Sequence, residues 1–229
     1  GDMSKADFDV WAIVPAAGRG RRFRAASVDS AAAPAKQLAR LGDRSMLAAV
    51  LDTLDASRVA GVVVVVNADV APAIEAERPP TARRVYILNP DPDGEMIESV
   101  QIGLARAGAT ATSGPTGQPG SGELQYGQGP AGFLVCPGDH PAVTTRAVDV
   151  CLAAFAASSK SIVLATCDGR RGHPLIVPAD LADVVATWPS TARLNELRTR
   201  FADRVLEVET SEPGVLTDVD VPEDLAGLR

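Results

Sequence analysis

A run of five consecutive valines, bracketed by Gly61 and Asn67, constrains the fold of this chain more than any other feature. β-branched residues favour strands, and a strand with one solvated face would alternate apolar with polar residues. Because the run contains no polar residue, it predicts a strand that is covered on both faces. Strands of that kind occur in parallel sheets with helices packed on each side. The run is also far too short to cross a bilayer.

The rest of the chain alternates predicted strands with predicted helices. The predicted strands cover residues 11–15, 61–67, 85–88, 133–136, 161–167, 175–177 and 205–208. The predicted helices cover residues 45–54, 97–107, 144–157, 179–188 and 195–201. This alternation indicates a three-layer α/β/α, Rossmann-like fold with a mostly parallel sheet and right-handed crossovers. Ligands of such sheets bind at the carboxyl ends of the strands.

Length and composition predict one domain over residues 1–229, because 46% of the residues are hydrophobic and can form a sizeable core. Residues 1–8 are interpreted as a tail. Residues 108–132 are rich in Gly, Ser, Thr, Pro and Gln and contain almost no large apolar side chain. This composition predicts a flexible surface insertion.

Charge and cysteine content restrict the partners and the location. The net charge of −7 argues against binding to nucleic acid or anionic membrane, which needs a broad basic surface. The cysteines Cys136, Cys151 and Cys167 have no CxxC spacing, so free thiols in a reducing compartment are expected. No apolar signal segment follows Lys5. We therefore expect a cytoplasmic protein, either a monomer or a homodimer.

The segment Pro15-Ala-Ala-Gly-Arg-Gly-Arg-Arg22 follows the first predicted strand and opens a predicted helix. Small residues allow backbone N–H groups to approach an anion, and guanidinium groups suit phosphate oxygens. The segment is not a P-loop, because Gly-Lys-Ser/Thr is absent. It is not a dinucleotide fingerprint either, because Phe23 stands where a third Gly or Ala is required. Taken alone, it fits a phosphate-binding loop and a solvated basic turn equally well. Lys36 is a candidate second contact to the phosphates.

Acidic residues follow two later segments. Asp139 comes directly after a predicted strand, where a carboxylate facing a phosphate loop suits Mg²⁺. Asp218 and Asp220 alternate around Val219, so they share one face of an extended segment, and either is a candidate second ligand. For Asp139 and Asp220 the alternative role is to cap the helix that follows.

Two histidines accompany these acids. His140 follows Asp139, and His173 is placed on a turn after a predicted strand. Each is a candidate for contact with a substrate, and the alternative for each is a structural role. No serine or cysteine stands in a recognisable nucleophile elbow, so a hydrolase triad is not supported.

In their order along the chain, these segments resemble one enzyme family. The Pro15–Arg22 segment is similar to the N-terminal signature of nucleotidyltransferases with the nucleotide-diphospho-sugar transferase fold. Four later segments resemble motifs of the molybdenum-cofactor nucleotidyltransferases: Glu95-Met-Ile-Glu-Ser99 with Gly103-Leu104, Gly138-Asp-His-Pro141, Gly172-His-Pro174 and Thr217-Asp-Val-Asp-Val-Pro-Glu-Asp-Leu225. The chain departs from the family pattern at Arg24, at Glu95 and in the long Ala-rich spacer before Lys36.

The resemblance implies a role for each candidate residue. It implies Mg²⁺ on Asp139 and on Asp220 or Asp218, a catalytic set of Arg22, Lys36 and Asp139, and acceptor contacts from His140 and His173. Ser99 would lie near the base or ribose. The implied nucleotide-binding set is Ala16, Ala17, Gly18, Arg19, Gly20, Arg22, Lys36 and Ser99.

The implied reaction is the transfer of a nucleoside monophosphate, with CTP as the favoured donor, to a phosphorylated acceptor such as molybdopterin. The cytidylyltransferases of isoprenoid synthesis are an alternative, but they carry His-Asp-Ala-Ala-Arg-Pro where this chain has Gly-Asp-His-Pro. A cytidylyltransferase of sugar or polyol phosphate metabolism is a related alternative. An NAD(P)-dependent oxidoreductase and a non-catalytic nucleotide-binding module are alternatives of other classes.

Overall fold

The computed structural model describes residues 8–27, 34–112 and 129–228. Its main sheet has seven strands in the order β5-β4-β1-β6-β8-β7-β9. These strands are β1 (Val10–Ala16), β4 (Gly61–Val66), β5 (Arg84–Leu88), β6 (Gly132–Val135), β7 (Ile162–Cys167), β8 (Arg170–Pro178) and β9 (Val205–Glu209). A small separate hairpin consists of β2 (Arg40–Leu41) and β3 (Arg44–Ser45).

Eight α-helices accompany the strands in the described part of the chain. They are α1 (Arg21–Ala26), α2 (Met46–Ala56), α3 (Ala71–Glu77), α4 (Met96–Thr112), α5 (Thr145–Ala157), α6 (Ala179–Ala186), α7 (Leu197–Arg200) and α8 (Pro222–Ala226). Short 3-10 helices cover Lys36–Leu38, Leu194–Glu196, Ala202–Arg204 and Pro213–Leu216. No helix of the described residues is both long enough and apolar enough to span a membrane.

The predicted α/β class and mostly parallel sheet are confirmed. The strand β8 is the exception, because it pairs antiparallel with both β6 and β7. It follows β7 through the two-residue turn Asp168–Gly169, whose φ angles are 51° and 73°. Positive φ at both positions is what a tight hairpin turn requires, and Asp-Gly favours it. A chain that reverses through two residues cannot make the long crossover that a parallel pair needs.

The strand β4 shows why its valine run has no polar residue. Val62, Val64 and Val66 are buried in one hydrophobic core together with side chains of α2 and α5. Val63 and Val65 are buried in a second core on the other face, with side chains of α4 and α6. Full burial of one valine contributes about 1.5–3 kcal/mol. Alternate residues of the run therefore stabilise opposite layers of the molecule.

Several predicted boundaries were wrong. Residues 108–112 were predicted as a loop, but they continue α4, where Ala109 and Ala111 have a high helix propensity. Residue 132 begins β6 instead of ending the insertion. The helix predicted to reach residue 188 ends at residue 186. Residues 113–128 and residues 1–7 of the predicted tail at 1–8 lie outside the described residues, whereas Phe8 packs against the hydrophobic core.

Two predicted local conformations also differ. His173 was placed on a turn, but it lies within β8, which begins earlier at Arg170 because the turn after β7 needs only two residues. Asp218 and Asp220 are not on a strand: the segment 217–220 has no regular secondary structure and leads into α8. The helix α3 and the hairpin of β2 and β3 were not predicted.

Candidate active site

The loop after β1 is held by two amide side chains. The Gln37 Nε2 atom donates to the backbone oxygens of Ala16 at 2.8 Å and Gly18 at 2.6 Å. The Asn67 Nδ2 atom donates to the backbone oxygen of Ala17 at 2.8 Å. Gln37 is only 6% exposed. Because these bonds engage three successive carbonyls, the side chains of Gln37 and Asn67 fix the conformation of the loop.

Gly20 allows this loop to turn beside Lys36. Its φ of 59° lies in the left-handed region, and a Cβ built on it would come within 2.6 Å of the Lys36 Cβ atom. Only glycine meets both conditions at low cost. The backbone of Gly20 then precedes α1, as the sequence predicted for this segment.

Lys36 lies between two carboxylates from distant parts of the chain. Its Nζ atom is 3.0 Å from Asp139 Oδ2 and 3.4 Å from Asp220 Oδ1, and its side chain is 11% exposed. The N–H of Val219 donates to the Asp139 backbone oxygen at 2.9 Å, which fixes the C-terminal segment against the turn after β6. The two carboxylates therefore converge on one cationic atom.

Neither carboxylate caps the following helix. The Thr144 side chain caps α5 by accepting from the N–H of Ala147. The Asp224 side chain accepts from the backbone N–H groups of Asp220 and Val221 at the start of α8. The carboxylates of Asp139 and Asp220 therefore contact charged or polar side chains of the site, Lys36 among them.

The electrostatic environment favours the ionised form of Asp139. Burial would raise the pKa of this carboxyl, but hydrogen bonds and charge from His140 and Lys36 lower the pKa to about 2. The His140 Nδ1 atom lies 2.8 Å from Asp139 Oδ1. Asp139 is therefore an anion throughout the physiological pH range.

The two histidines contact each other. Their rings meet edge to face, with a centroid distance of 4.4 Å. Burial, followed by the nearby charges of His140 and Arg198, lowers the pKa of His173 to about 4. His173 is therefore a neutral imidazole near pH 7 and offers hydrogen bonds without a positive charge.

Ser99 lies on α4 and faces the same cavity as the loop. The Asn89 Nδ2 atom donates to the Ser99 Oγ atom at 3.0 Å, and both residues are buried. The cavity has a volume of about 190 Å³. The predicted residues that line it are Ala16, Ala17, Gly18, Gly20, Lys36, Ser99 and Asp139.

Other predicted residues lie outside this cavity. Arg19 forms an ion pair with Asp93 at 3.4 Å, and Arg22 lies 3.6 Å from Asp220 with a side chain that is 84% exposed. Neither arginine lines the cavity. His140 and His173 line a second cavity of about 490 Å³, which Asp218 also lines. Met96 borders both cavities.

The sequence interpretation missed the three amide residues of the site. Gln37 and Asn67 position the loop, and Asn89 positions Ser99. Asn67 directly follows β4, and Asn89 directly follows β5. Polar residues at the carboxyl ends of two apolar strands were a usable signal, since ligands of such sheets bind there.

The donor set around Lys36 suits a divalent cation. Two carboxylates already converge on one positive charge, and Mg²⁺ usually takes one or two carboxylates together with phosphate oxygens. The described residues contain a separate group of potential ligands in Cys167, Asp168 and Glu209. There, the Glu209 carboxylate accepts from the backbone N–H groups of Asp168 and Ser211, which is a structural role.

Comparison with solved structures identifies similar folds. A nucleotidyl transferase from Methanothermobacter thermautotrophicus has a TM-score of 0.70 and 20% identity, over 96% of this chain and 95% of that one. Rv0371c from Mycobacterium tuberculosis, in complex with manganese, has a TM-score of 0.60 and 17% identity, over 96% of this chain and 97% of that one. The 4-diphosphocytidyl-2C-methyl-D-erythritol synthase from Anaerococcus prevotii has a TM-score of 0.63 and 15% identity, over 98% of this chain and 97% of that one.

Comparison of the sequence alone gives a consistent result. No curated protein sequence matches the chain significantly. Residues 12–205, which include the loop, Lys36, Asp139 and both histidines, match the MobA-like NTP transferase domain. The nucleotide-diphospho-sugar transferase fold predicted from the motifs is thereby confirmed. The chain belongs to the MobA-like NTP transferase family and is a nucleotidyltransferase.

Proposed function

We propose that this enzyme transfers CMP from CTP to a phosphorylated small-molecule acceptor such as molybdopterin, in a Mg²⁺-dependent reaction that releases pyrophosphate. The observation that carries the proposal is the position of Lys36. Its ammonium lies between Asp139 and Asp220, and it lines the same cavity as the loop from Ala16 to Gly20. This arrangement provides an anion-binding backbone, a lysine and two carboxylates within one site.

The proposed reaction is an in-line displacement. An oxygen of the acceptor phosphate forms a bond to the α-phosphorus, the bond from that phosphorus to the α–β bridging oxygen breaks, and pyrophosphate leaves. An ionised phosphate needs no general base. Positioning and charge neutralisation supply most of the catalysis in such reactions. Lys36 and Arg22 are the proposed cationic contacts to the triphosphate, and Arg22 would reach it by moving from its exposed position beside Asp220.

We propose that Asp139 and Asp220 would hold Mg²⁺. When bound, the ion would supply positive charge next to the phosphate oxygens. Asp220 is preferred over Asp218, because Asp220 shares the Lys36 ammonium with Asp139, whereas Asp218 lines the second cavity. The manganese complex of Rv0371c, which has a similar fold, supports a divalent ion as the cofactor.

The remaining roles follow from the two cavities. We propose that Ala16, Ala17, Gly18, Gly20 and Ser99 contact the nucleotide, with Arg19 at the rim, and that His140 and His173 contact the acceptor. The similarity to a diphosphocytidyl-methylerythritol synthase supports CTP as the donor and keeps an isoprenoid-type acceptor as the second candidate. The three buried free cysteines support the proposed cytoplasmic location.

The donor and the metal are tested by thermal shift with CTP, GTP, ATP and UTP, each with and without Mg²⁺. Binding to the native state raises the melting temperature, so we expect the largest rise with CTP and Mg²⁺ together. A rise that is equal for all four nucleotides would contradict the choice of CTP. An unchanged melting temperature in every sample would contradict nucleotide binding.

The metal ligand is tested with Asp139→Ala. We expect this variant to lose the Mg²⁺-dependent shift with CTP and the Mg²⁺-dependent release of pyrophosphate in the presence of candidate acceptors. Asp183→Ala, which changes an exposed carboxylate on α6, is the matched control and should behave as the wild type. Undiminished pyrophosphate release by Asp139→Ala would refute the assignment.

A further inference from the structure

The second cavity adjoins the nucleotide cavity. Met96 borders both of them, and His140, which lines the second, is bonded to Asp139, which lines the first. With about 490 Å³, the second cavity is large enough for a small organic molecule. The two cavities meet at Met96, Asp139 and His140, a region called the junction below. A phosphate placed at the junction beside His140 would lie next to a nucleotide in the first cavity. The rest of the acceptor would then extend away from the junction.

Much of the wall of this cavity is apolar. Leu164, Leu175 and Leu194 are each no more than 5% exposed, and Val215 and Leu216 are among the other apolar residues of the lining. Apolar walls gain free energy by excluding water, so they favour an acceptor whose body is itself apolar or planar. A small, fully hydrated phosphate ester would leave this surface without a partner.

Two arginines on the segment 193–198 add positive charge to the cavity. Both Arg193 and Arg198 line it, and neither guanidinium has a carboxylate within 4.0 Å in the described part of the chain. The Arg198 Nε atom donates to the backbone oxygen of Asn195 at 3.4 Å. The nearest acid along the chain, Glu196, is engaged by Arg200 at 2.6 Å.

This lack of an ion-pair partner distinguishes these two arginines from their neighbours. Arg200 pairs with Glu196, and Arg204 pairs with Asp180. The third arginine of the cavity, Arg171, is paired with Glu207. In a chain with a net charge of −7, two unpaired guanidiniums at one cavity form a local site for an anion.

The acidic residues of the cavity come from other segments of the chain. Glu95 directly precedes Met96, which borders the nucleotide cavity. Asp218 directly precedes Val219, whose N–H is bonded to the Asp139 backbone oxygen. Both acids therefore belong to segments at the junction, whereas Arg193 and Arg198 belong to the 3-10 helix and α7 region.

We propose that the acceptor carries a second anionic group, a carboxylate or a phosphate, on an apolar or planar body, and that Arg193 and Arg198 select for it. This inference rests on the proposed transferase function and extends it to the chemical class of the acceptor. The attacking phosphate would lie at the junction, and the second anion would lie against the two arginines. The two guanidiniums are specificity determinants that take no part in the bond-forming step.

The test uses two fluorescent probes of similar shape. Anilinonaphthalene sulfonate has an apolar body with one anionic group, and phenylnaphthylamine has nearly the same body without charge. We expect the sulfonate to bind the wild type at one site with CTP and Mg²⁺ present. In the double variant Arg193→Gln, Arg198→Gln its affinity should fall by roughly tenfold or more, because charge-assisted hydrogen bonds are lost. Binding of the uncharged probe should change by less than about twofold.

The control variant is Arg204→Gln, which removes an arginine that does not line the cavity and whose partner, Asp180, does not line it either. We expect it to bind both probes as the wild type does. Equal sulfonate binding by the wild type and the double variant would overturn the proposal, and so would displacement of the sulfonate by CTP and Mg²⁺.

The same samples separate this inference from the proposed function. If CTP with Mg²⁺ fails to raise the melting temperature, the proposed donor is wrong, yet an arginine-dependent sulfonate site would still stand. If CTP binds and the sulfonate does not depend on the arginines, the transferase proposal survives and the acceptor class is wrong. The melting temperature of the double variant alone shows whether it is folded.

Discussion

At the scale of single residues, the candidate site depends on Lys36 and Gly20, which lie against each other. Lys36 places one positive charge between two carboxylates that would otherwise repel each other. Gly20 supplies the left-handed turn beside the Lys36 side chain. The backbone conformation of the loop and the charge balance of the site are therefore set by residues in direct contact.

The first prediction concerns Lys36→Met. Removing the ammonium leaves Asp139 and Asp220 without their shared cation, so we expect the free energy of unfolding to fall by about 1–3 kcal/mol in metal-free buffer. Because the place of the cation is then free, Mg²⁺ alone should stabilise this variant more than it stabilises the wild type. Urea unfolding with and without Mg²⁺ measures both effects.

A second variant controls this prediction. In Lys36→Met, Asp220→Asn only one carboxylate remains, so the additional stabilisation by Mg²⁺ should disappear. If Mg²⁺ stabilises Lys36→Met no more than the wild type, Lys36 does not compete with Mg²⁺ for Asp139 and Asp220.

The second prediction compares two glycines of the loop. Gly20→Ala introduces a Cβ at 2.6 Å from the Lys36 Cβ atom and strains a left-handed φ, so it should cost about 1–2 kcal/mol of stability and weaken nucleotide binding. Gly18→Ala introduces a Cβ with no heavy atom within 4 Å and should change stability by less than about 0.5 kcal/mol. Thermal unfolding with a nucleotide titration distinguishes the two. Equal effects of both substitutions would contradict the loop geometry.

At the scale of elements, α4 connects the core to the nucleotide cavity. Its first turns carry Met96 and Ser99 at the cavity, and its later turns pack on the sheet. Gly103 allows the close approach, since a Cβ there would lie 2.4 Å from the Ile13 Cγ2 atom of β1. The position of Ser99 relative to the loop after β1 therefore depends on this helix–strand contact.

The third prediction uses two glycines of α4. Gly103→Ala should destabilise the protein by about 1–3 kcal/mol, because the new methyl group pushes the helix away from β1. Gly108→Ala meets no heavy atom within 4 Å, so its expected effect is a stabilisation of up to about 1 kcal/mol from the higher helix propensity of alanine. Urea unfolding measures the change in the free energy of unfolding for each variant, and the two changes should have opposite signs. A loss of stability in Gly108→Ala would argue against α4 extending through Thr112.

At the scale of the whole molecule, the sheet separates two hydrophobic cores. Val64 belongs to the core with α2 and α5, and Val63 belongs to the core with α4 and α6. The carboxyl edge of the sheet lies between these layers, and the candidate site is built on it from the segments after β1, β5 and β6. Both hydrophobic cores therefore stabilise the strands whose carboxyl ends carry the candidate site.

The fourth prediction tests the separation of the cores. Val63→Ala and Val64→Ala should each cost about 2 kcal/mol, because each removes buried methyl groups. The double variant should lose the sum of the two values within about 0.5 kcal/mol, since the side chains lie on opposite faces without a shared cavity. Guanidinium unfolding provides the three measurements. A large deviation from additivity would contradict two independent cores.

The sequence by itself determined the α/β class, the two-sided burial of β4 and the family, because these depend on local periodicity and on motif order. It also placed Gly18, Gly20 and Asp139 after predicted strands, where the structure has them. It did not reveal that β8 runs antiparallel, since the Asp168–Gly169 turn was interpreted as part of a longer loop.

Only the tertiary structure decided which of these residues meet. Lys36 contacts Asp139 and Asp220 across 103 and 184 positions of the chain. Such contacts depend on the order of strands in the sheet and on the path of the C-terminal segment, which no local pattern encodes. For the same reason the sequence did not separate Asp218 from Asp220 or identify Arg193 and Arg198 as the residues that line the second cavity. Side-chain chemistry is a local property, whereas the choice of neighbours results from packing the whole chain.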